Sequence, residues 1–217
     1  MLIFSEQNLV LFSVPKTGST AMEVALKPWA DIAFYKQRKH TPVGRYQRKI
    51  APFLRKAYGL DPETMAVIRA PLEHLRSWYR YRAGMLDVDF DGFLKGVLSD
   101  TPPEWARFGT QHNFLTGPDG ALGITHLFAY EAQPVLRAWL EARMGEEILI
   151  KPQNISPQMP TPISTQTRAA FEMHYADEIA LHARVVLQGG HLLTKTHQRE
   201  RRSGGPEAVP ASPPQPR

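Results

Sequence analysis

The stretch LVLFSVPKTGST, residues 9–20, constrains the fold more than any other part of the chain. An apolar run ends abruptly in a proline, a lysine, a glycine and small hydroxyl residues. Such a turn fills a core poorly and suits a ligand rich in negative oxygens. A strand that enters a tight glycine turn and leaves as a helix presents unpaired N–H groups, and the helix dipole favours an anion there. Gly18 lets the chain turn and lets a ligand approach the backbone. Ser19 and Thr20 add hydroxyl donors, and Lys16 adds a full charge. The same residues also read as an ordinary strand–helix turn in which Ser19 or Thr20 caps the helix.

The rest of the chain repeats the strand-then-helix rhythm. LIFSEQNLVLFSV reads as two short strands around a polar turn, and STAMEVALKPW as a helix that Pro28 ends. DIAFYKQRKHTPVG gives a short strand and a basic loop, and RYQRKIAPFLRKAYG a basic helical stretch interrupted by Pro52. TMAVIR, 64–69, is a β-branched strand. The helix APLEHLRSWYRYRAG follows, with Pro71 in its first turn, an apolar stripe at Leu72, Leu75 and Tyr79, and Gly84 at its end. FDGFLKGVL predicts a shorter helix, THLFAYE (125–131) a strand, QPVLRAWLEARMG a helix and EILI a small strand. STQTRAAFEMHYADEIALHARVV predicts one long final helix with Phe171, Tyr175 and Ile179 on one face. The alternation argues for an α/β fold of three layers, a central parallel sheet flanked by helices. The periodicity places that domain at residues 1–190 and assigns 191–217, rich in Pro and Arg, to a disordered tail.

Composition narrows the partners. The 217 residues, 42% of them hydrophobic, are enough for one domain with a sizeable core, and the net charge of +5 favours anionic ligands. The chain has no cysteine, which excludes disulfides, thiolate nucleophiles and thiolate metal sites. No run of about 18 apolar residues exists, so no membrane span is expected. The apolar start contains Glu6 and lacks a basic leader segment, so it reads as strand, and a cytoplasmic location is expected. Asn154–Ser156 matches a glycosylation sequon, with no secretion signal to support its use.

An ordinary nucleotide triphosphatase loop would read G-x-x-x-x-G-K-[ST]. Here the lysine precedes the glycine by two residues and the earlier glycine is absent. The order P-K-T-G-S-T instead resembles the phosphosulfate loop of the sulfotransferases that use 3′-phosphoadenosine 5′-phosphosulfate (PAPS). VIRAPLEHLRSWYRYR, 67–82, resembles that family's 3′-phosphate segment, with an arginine at a strand end, Arg69, and a serine eight residues later, Ser77. An arginine at a strand tip can bind a phosphate bidentately. RKHTP, 38–42, is similar to the family's segment that carries the acceptor's general base, with the lysine here adjacent to His40. The half containing TQHNFLTGPDG and LFAYEAQPVLRAWLEARMG matches in architecture.

The resemblance spans residues 8–187 and looks closest to the bacterial and carbohydrate-modifying branch. It implies a fold like that of the P-loop NTPases and in-line sulfuryl transfer from PAPS to a hydroxyl or amine, with a carbohydrate or glycolipid as the acceptor type. The product is the 3′,5′-bisphosphate PAP, and no metal takes part. It assigns Lys16 to the bridging oxygen; Thr17, Gly18, Ser19 and Thr20 to the 5′-phosphate; Arg69 and Ser77 to the 3′-phosphate; and His40 to the acceptor's proton, with Arg38 or Lys39 beside it. Two departures stand out: Ala21 occupies the place of the aromatic residue that stacks on adenine, and the glycine-rich R-K-G segment is missing.

Other features point elsewhere more weakly. DVDFDG, 87–92, imitates the start of a calcium loop, but the twelfth position is Leu98 rather than a glutamate. The eight histidines show no H-E-x-x-H or close H-x-H pair, so no metal site is expected. His112 reads either as a wall of the acceptor pocket or, more simply, as a hydrogen-bonded structural histidine. The basic cluster from Lys36 to Lys56 attracts either PAPS or an acidic saccharide, or forms a solvated helix face. A P-loop-type kinase and a catalytically degenerate binding protein stay open as alternatives. A nucleic-acid-binding module does not fit, because interleaved aromatic and basic motifs are missing.

Overall fold

The computed structural model describes residues 1–153 and 158–194. The sequon at 154–156 lies outside the described residues, as does the expected tail from residue 195 onward.

The strands are β1 (Leu2–Phe4), β2 (Leu9–Leu11), β3 (Ile32–Ala33), β4 (Glu63–Ile68), β5 (His126–Ala129) and β6 (His191–Leu193). They form one sheet in the order β3-β1-β2-β4-β5-β6. Only its centre is parallel: β2 pairs with β4, and β4 with β5, in parallel. β1 runs antiparallel to both β2 and β3, and β6 antiparallel to β5. The expectation of a parallel sheet is corrected to a mixed one. The polar turn Ser5–Asn8 folds β1 straight back on β2 as a hairpin, closed by a 3.1 Å bond from Asn8 N–H to the Ser5 carbonyl. The domain also extends past residue 190, because β6 pairs with β5 where the sequence predicts tail.

The helices are α1 (Ser19–Leu26), α2 (Val43–Arg45), α3 (Ala51–Tyr58), α4 (Pro71–Arg82), α5 (Phe90–Val97), α6 (Gln111–Leu115), α7 (Gln133–Met144), α8 (Thr165–His174) and α9 (Ala176–Leu187). A π turn, Tyr46–Ile50, joins α2 to α3, and Pro52 follows it in the first turn of α3. The predicted final helix is two, broken at Tyr175 with φ −102° and ψ 19°. EILI forms no strand, and Ile148 instead packs into the core. Asp89 of the DVDFDG stretch caps α5 through the Gly92 N–H, and Asp91 pairs with Lys95.

Alternation along the strands sends side chains to two cores. One face carries Ile3, Val10, Phe12, Ala66, Ile68 and Leu127, covered by α2, α3, α6 and α9. The other carries Leu2, Phe4, Leu11, Met65, Val67 and Phe128, covered by α1 and α7. Helices therefore flank the sheet on both sides, three layers in all. A third cluster, built from Leu75, Tyr79, Phe90, Phe93, Phe171 and Tyr175, joins α4, α5 and α8 into an aromatic lobe beside the sheet. The carboxyl ends of β2 and β4 point toward the junction between this lobe and the sheet, where the turn at residues 15–18 lies. No helix among the described residues is long and apolar enough to cross a membrane.

Candidate functional site

β2 is a three-residue strand buried on both faces, and it delivers the chain into the turn 15–18. Two residues there adopt left-handed backbone: Lys16 at φ 63° and Gly18 at φ 75°. Successive turns of this kind aim N–H groups toward one concavity. Gly18 is the N-cap of α1 and offers no side-chain cap, so the helix is capped by neither Ser19 nor Thr20. Among the described residues, the N–H groups from Lys16 to Ala21 find no protein acceptor with good geometry, whereas Met22 N–H donates to the Gly18 carbonyl at 3.2 Å. A Cβ at Gly18 would stand 3.2 Å from Cε2 of Tyr130, so a ring at the tip of β5 borders the turn.

Arg69 follows β4 and reaches this turn. Its Nη1 donates to the Lys16 carbonyl at 3.4 Å, and its guanidinium lies 4.6 Å from the centre of the Tyr130 ring. Its Nε is buried with no hydrogen-bond partner. The Arg69 backbone is latched on both sides by Gln111, whose Oε1 accepts from the Arg69 N–H at 2.9 Å and whose Nε2 donates to the Arg69 carbonyl at 2.9 Å. Gln111 Nε2 also donates to Glu178 Oε1 at 2.8 Å, and Glu178 Oε2 accepts the His112 N–H at 3.1 Å. Burial pushes the Glu178 carboxyl up, and its hydrogen-bond donors pull it down only in part.

Positive charge accumulates around the turn. The Lys16 ammonium lies 4.1 Å from the Tyr81 ring centre and 5.7 Å from that of Trp78. Burial, then the charges of Arg69 and Arg82, bring its pKa down to about 8. Arg82 donates to the Trp105 carbonyl and lies over the Trp78 ring. Among the described residues no carboxylate forms an ion pair with Lys16, Arg69 or Arg82. Three cations without a counter-charge, against a row of free N–H groups, form a site suited to a polyanion.

His40 stands on the other side of the turn. Its Nδ1 lies 2.7 Å from the Ser13 carbonyl, which can only accept, so Nδ1 carries the proton and Nε2 keeps a lone pair. Burial holds the imidazole below its ordinary pKa, against the bond to Ser13, with the Lys39 charge reinforcing the drop. His40 lines a cavity of about 300 Å³ with Val14, Pro42, His74, Trp78 and Phe108. His74 donates from Nε2 to the Pro15 carbonyl at 3.0 Å, and burial brings its pKa down to about 4, so it is a neutral strut under the turn.

The structure thus brings Lys16, Gly18, Ser19, Thr20, Arg69 and His40 to one end of β2 and β4. Thr17 belongs to the turn, but its hydroxyl donates to the Val14 carbonyl at 2.9 Å, which leaves only its N–H for a ligand. Ser77 is buried on α4 between His74 and Tyr81, on the helix face that meets the turn. Its hydroxyl makes no hydrogen bond with Arg69 among the described residues. Lys39 is held by Glu23 at 3.0 Å and by the Thr20 hydroxyl at 3.2 Å, and Arg38 lines a different recess. Sequence reasoning misses His74, Tyr81, Arg82, Gln111, Tyr130 and Glu178. The spacing offers a signal for His74 and Tyr81, since both share a helix face with Ser77. Gln111 and Glu178 lie 67 residues apart and carry no local sign of their pairing.

No family model, curated protein or solved structure matches the chain. Its chemistry is therefore legible only in its own residues.

Proposed function

We propose that the chain is a PAPS-dependent sulfotransferase, moving a sulfuryl group to a hydroxyl or amine. One observation carries this reading: unengaged N–H groups line a lysine-bearing turn, and Arg69 crosses from the next strand to the same turn. Two anion grips at adjacent strand tips suit a ligand with two separate phosphate groups. The buried Arg69 Nε, without a partner, is a donor that an oxyanion would satisfy.

When bound, PAPS supplies the sulfuryl group and leaves as the 3′,5′-bisphosphate. The chain's share is positioning and charge. The N–H groups of Thr17, Gly18, Ser19 and Thr20 would hold the 5′-phosphate, with the Thr20 hydroxyl hydrogen free to join them because its oxygen already accepts from Lys39. Arg69 would hold the 3′-phosphate, with Ser77 on the same flank. Lys16 swings from the Tyr81 ring to neutralise charge that develops at the bridging oxygen. His40 Nε2 takes the acceptor's proton, an act its fixed tautomer prepares. With Ala21 leaving no ring on α1, the Tyr130 ring, whose edge lies 3.2 Å from where a Gly18 Cβ would stand, is the candidate to line the nucleoside side.

The acceptor would enter the cavity beside His40, whose walls include Val14, Pro42, Trp78 and Phe108. A space of about 300 Å³ admits one ring-sized end of an acceptor, so a carbohydrate or glycolipid would present a single sugar there.

Calorimetry with the 3′,5′-bisphosphate, ATP and adenosine 5′-monophosphate tests the reading. Micromolar binding of the bisphosphate, at least about tenfold tighter than ATP, supports it. Tighter binding of ATP overturns it in favour of a kinase. Transfer of label from PAPS to acceptors in an extract then tests catalysis against mere binding.

A further inference from the structure

We infer that a basic recess on the far side of the strap 38–42 is a second anion site, for a small ring-bearing phosphate or sulfate ester. The recess measures about 440 Å³, and Arg38, Arg45, Arg48 and Lys49 converge on it, with Phe34 and Ile50 among its walls. It shares no lining residue with the His40 cavity. The strap separates the two: His40 and Pro42 line the cavity, while Arg38 and Thr41 line the recess. The inference stands whether or not the chain uses PAPS.

The charge pattern separates these four cations from an ordinary solvated face. Elsewhere in the same basic stretch, Lys39 is neutralised by Glu23 and Arg55 by Asp61. Among the described residues, none of the four recess cations has a carboxylate partner, and no acidic residue lines the recess. Arg45 stands three residues before Arg48 and four before Lys49, a spacing that brings like charges together and destabilises a helix. An ester with two or more negative charges removes that repulsion.

Backbone and walls support a built site. Arg45, Arg48 and Lys49 ride on α2 and the π turn Tyr46–Ile50, an irregularity that recurs at functional sites, while Arg38 comes from the turn Lys36–Lys39. Gly44 leaves room for Arg48 to lie along the helix: Nη1 is 3.4 Å from where a Cβ would stand. Thr41 donates its hydroxyl hydrogen to the Arg38 carbonyl at 2.8 Å, which braces the strap. Phe34 and Ile50 are half-buried against the core and give a fixed apolar surface on which a sugar-sized ring can lie. A concave recess of this size fits a ring with its charged groups. A nucleic acid duplex or a bilayer needs a broad open face instead.

The test is calorimetric titration of the full chain with glucose 6-phosphate, a disulfated disaccharide, inorganic phosphate, a single-stranded oligonucleotide and vesicles containing phosphatidylserine. Either ester should bind saturably, at least about tenfold tighter than inorganic phosphate. The phosphate and sulfate arms tell which group the recess prefers. Arg45→Ala/Arg48→Ala should weaken that binding at least about tenfold, since each arginine supplies charge-assisted bonds. Both side chains are exposed, so folding is spared. Lys16→Ala should leave ester binding unchanged, which separates the recess from the phosphate-binding turn. No saturable ester binding overturns the inference. So does equal binding by the Arg45→Ala/Arg48→Ala variant, or tighter binding of the oligonucleotide or the vesicles.

Discussion

The Ser13 carbonyl oxygen and His40 Nδ1 lie 2.7 Å apart, so the segment that leads from β2 into the turn at 15–18 also sets which nitrogen of the imidazole is bare. His40→Ala should therefore slow transfer by about 10²–10⁴, the usual worth of a general base, while the affinity for the bisphosphate stays within about twofold. The pH profile gives a second check. The imidazole works as a base only when neutral, and burial holds its pKa below the ordinary value of about 6.5. The acid limb of the rate should fall below that value, and at neutral pH the rate should be flat. A limb centred above pH 7 would remove His40 from the role.

Lys16 sets the opposite limb. Its pKa of about 8 in the free chain means that above this pH the ammonium must regain a proton before it meets a phosphate. Bisphosphate affinity should be level below pH 7 and decline as pH rises through 8, with net proton uptake on binding in that window. Calorimetry in buffers of different ionisation enthalpy measures the uptake directly. Lys16→Arg, which stays charged, should abolish the decline.

Gln111→Ala removes three hydrogen bonds from buried groups and should cost about 3 kcal/mol, at roughly 1 kcal/mol each. It also frees the Arg69 backbone. Affinity for the 3′,5′-bisphosphate should drop about tenfold, and that for adenosine 5′-monophosphate should hold within about twofold. Equal loss for both ligands would show that the latch does not act through the 3′-phosphate.

Gly18→Ala places a Cβ 3.2 Å from the Tyr130 ring at a backbone φ of 75°. The left-handed conformation alone costs roughly 1–2 kcal/mol for a residue with a side chain. The melting temperature should fall by about 2–8 °C for a chain of this size, and the bisphosphate should bind at least about tenfold more weakly. Tyr130→Leu should not restore stability to the double variant, because the backbone strain persists without the ring.

Glu178 predicts a stability profile. Burial raises its folded pKa above the unfolded value, so the folded state binds the proton more tightly. Its contribution is greatest below the ordinary carboxylate pKa and declines as pH rises toward the folded value. Urea midpoints should decrease across that interval, and Glu178→Gln should flatten the decrease while losing about 1 kcal/mol through one forfeited hydrogen bond.

The turn and Arg69 were legible because their signals are local. A proline, lysine and glycine within four residues mark the turn, and Arg69 stands at the end of a strand that β-branched residues mark plainly. The sheet's edges were not. β6 is three residues long and exists through its pairing with β5, some 65 positions away, so no periodicity within the strand reveals it. The break at Tyr175 was hidden for a different reason. Phe171, Tyr175 and Ile179 all pack on the aromatic lobe, so the apolar spacing runs on unbroken while the backbone bends, and neither proline nor glycine marks the place. The latch from Glu178 through Gln111 to Arg69 was silent because amide and carboxylate side chains declare a partner only when the fold supplies one.

One helix, α4, belongs to two neighbourhoods at once. Leu75 and Tyr79 root it among the aromatic rings, while His74, Trp78 and Tyr81 touch the Pro15–Lys16 segment and the wall beside His40. It behaves as a lever whose fulcrum lies outside the cleft. A shift in how Phe90, Phe93 or Phe171 nest would be transmitted along a rigid rod to the lysine and to the histidine's chamber together. Tuning of this protein, by evolution or by design, is open from the lobe without touching a single group that meets the ligand.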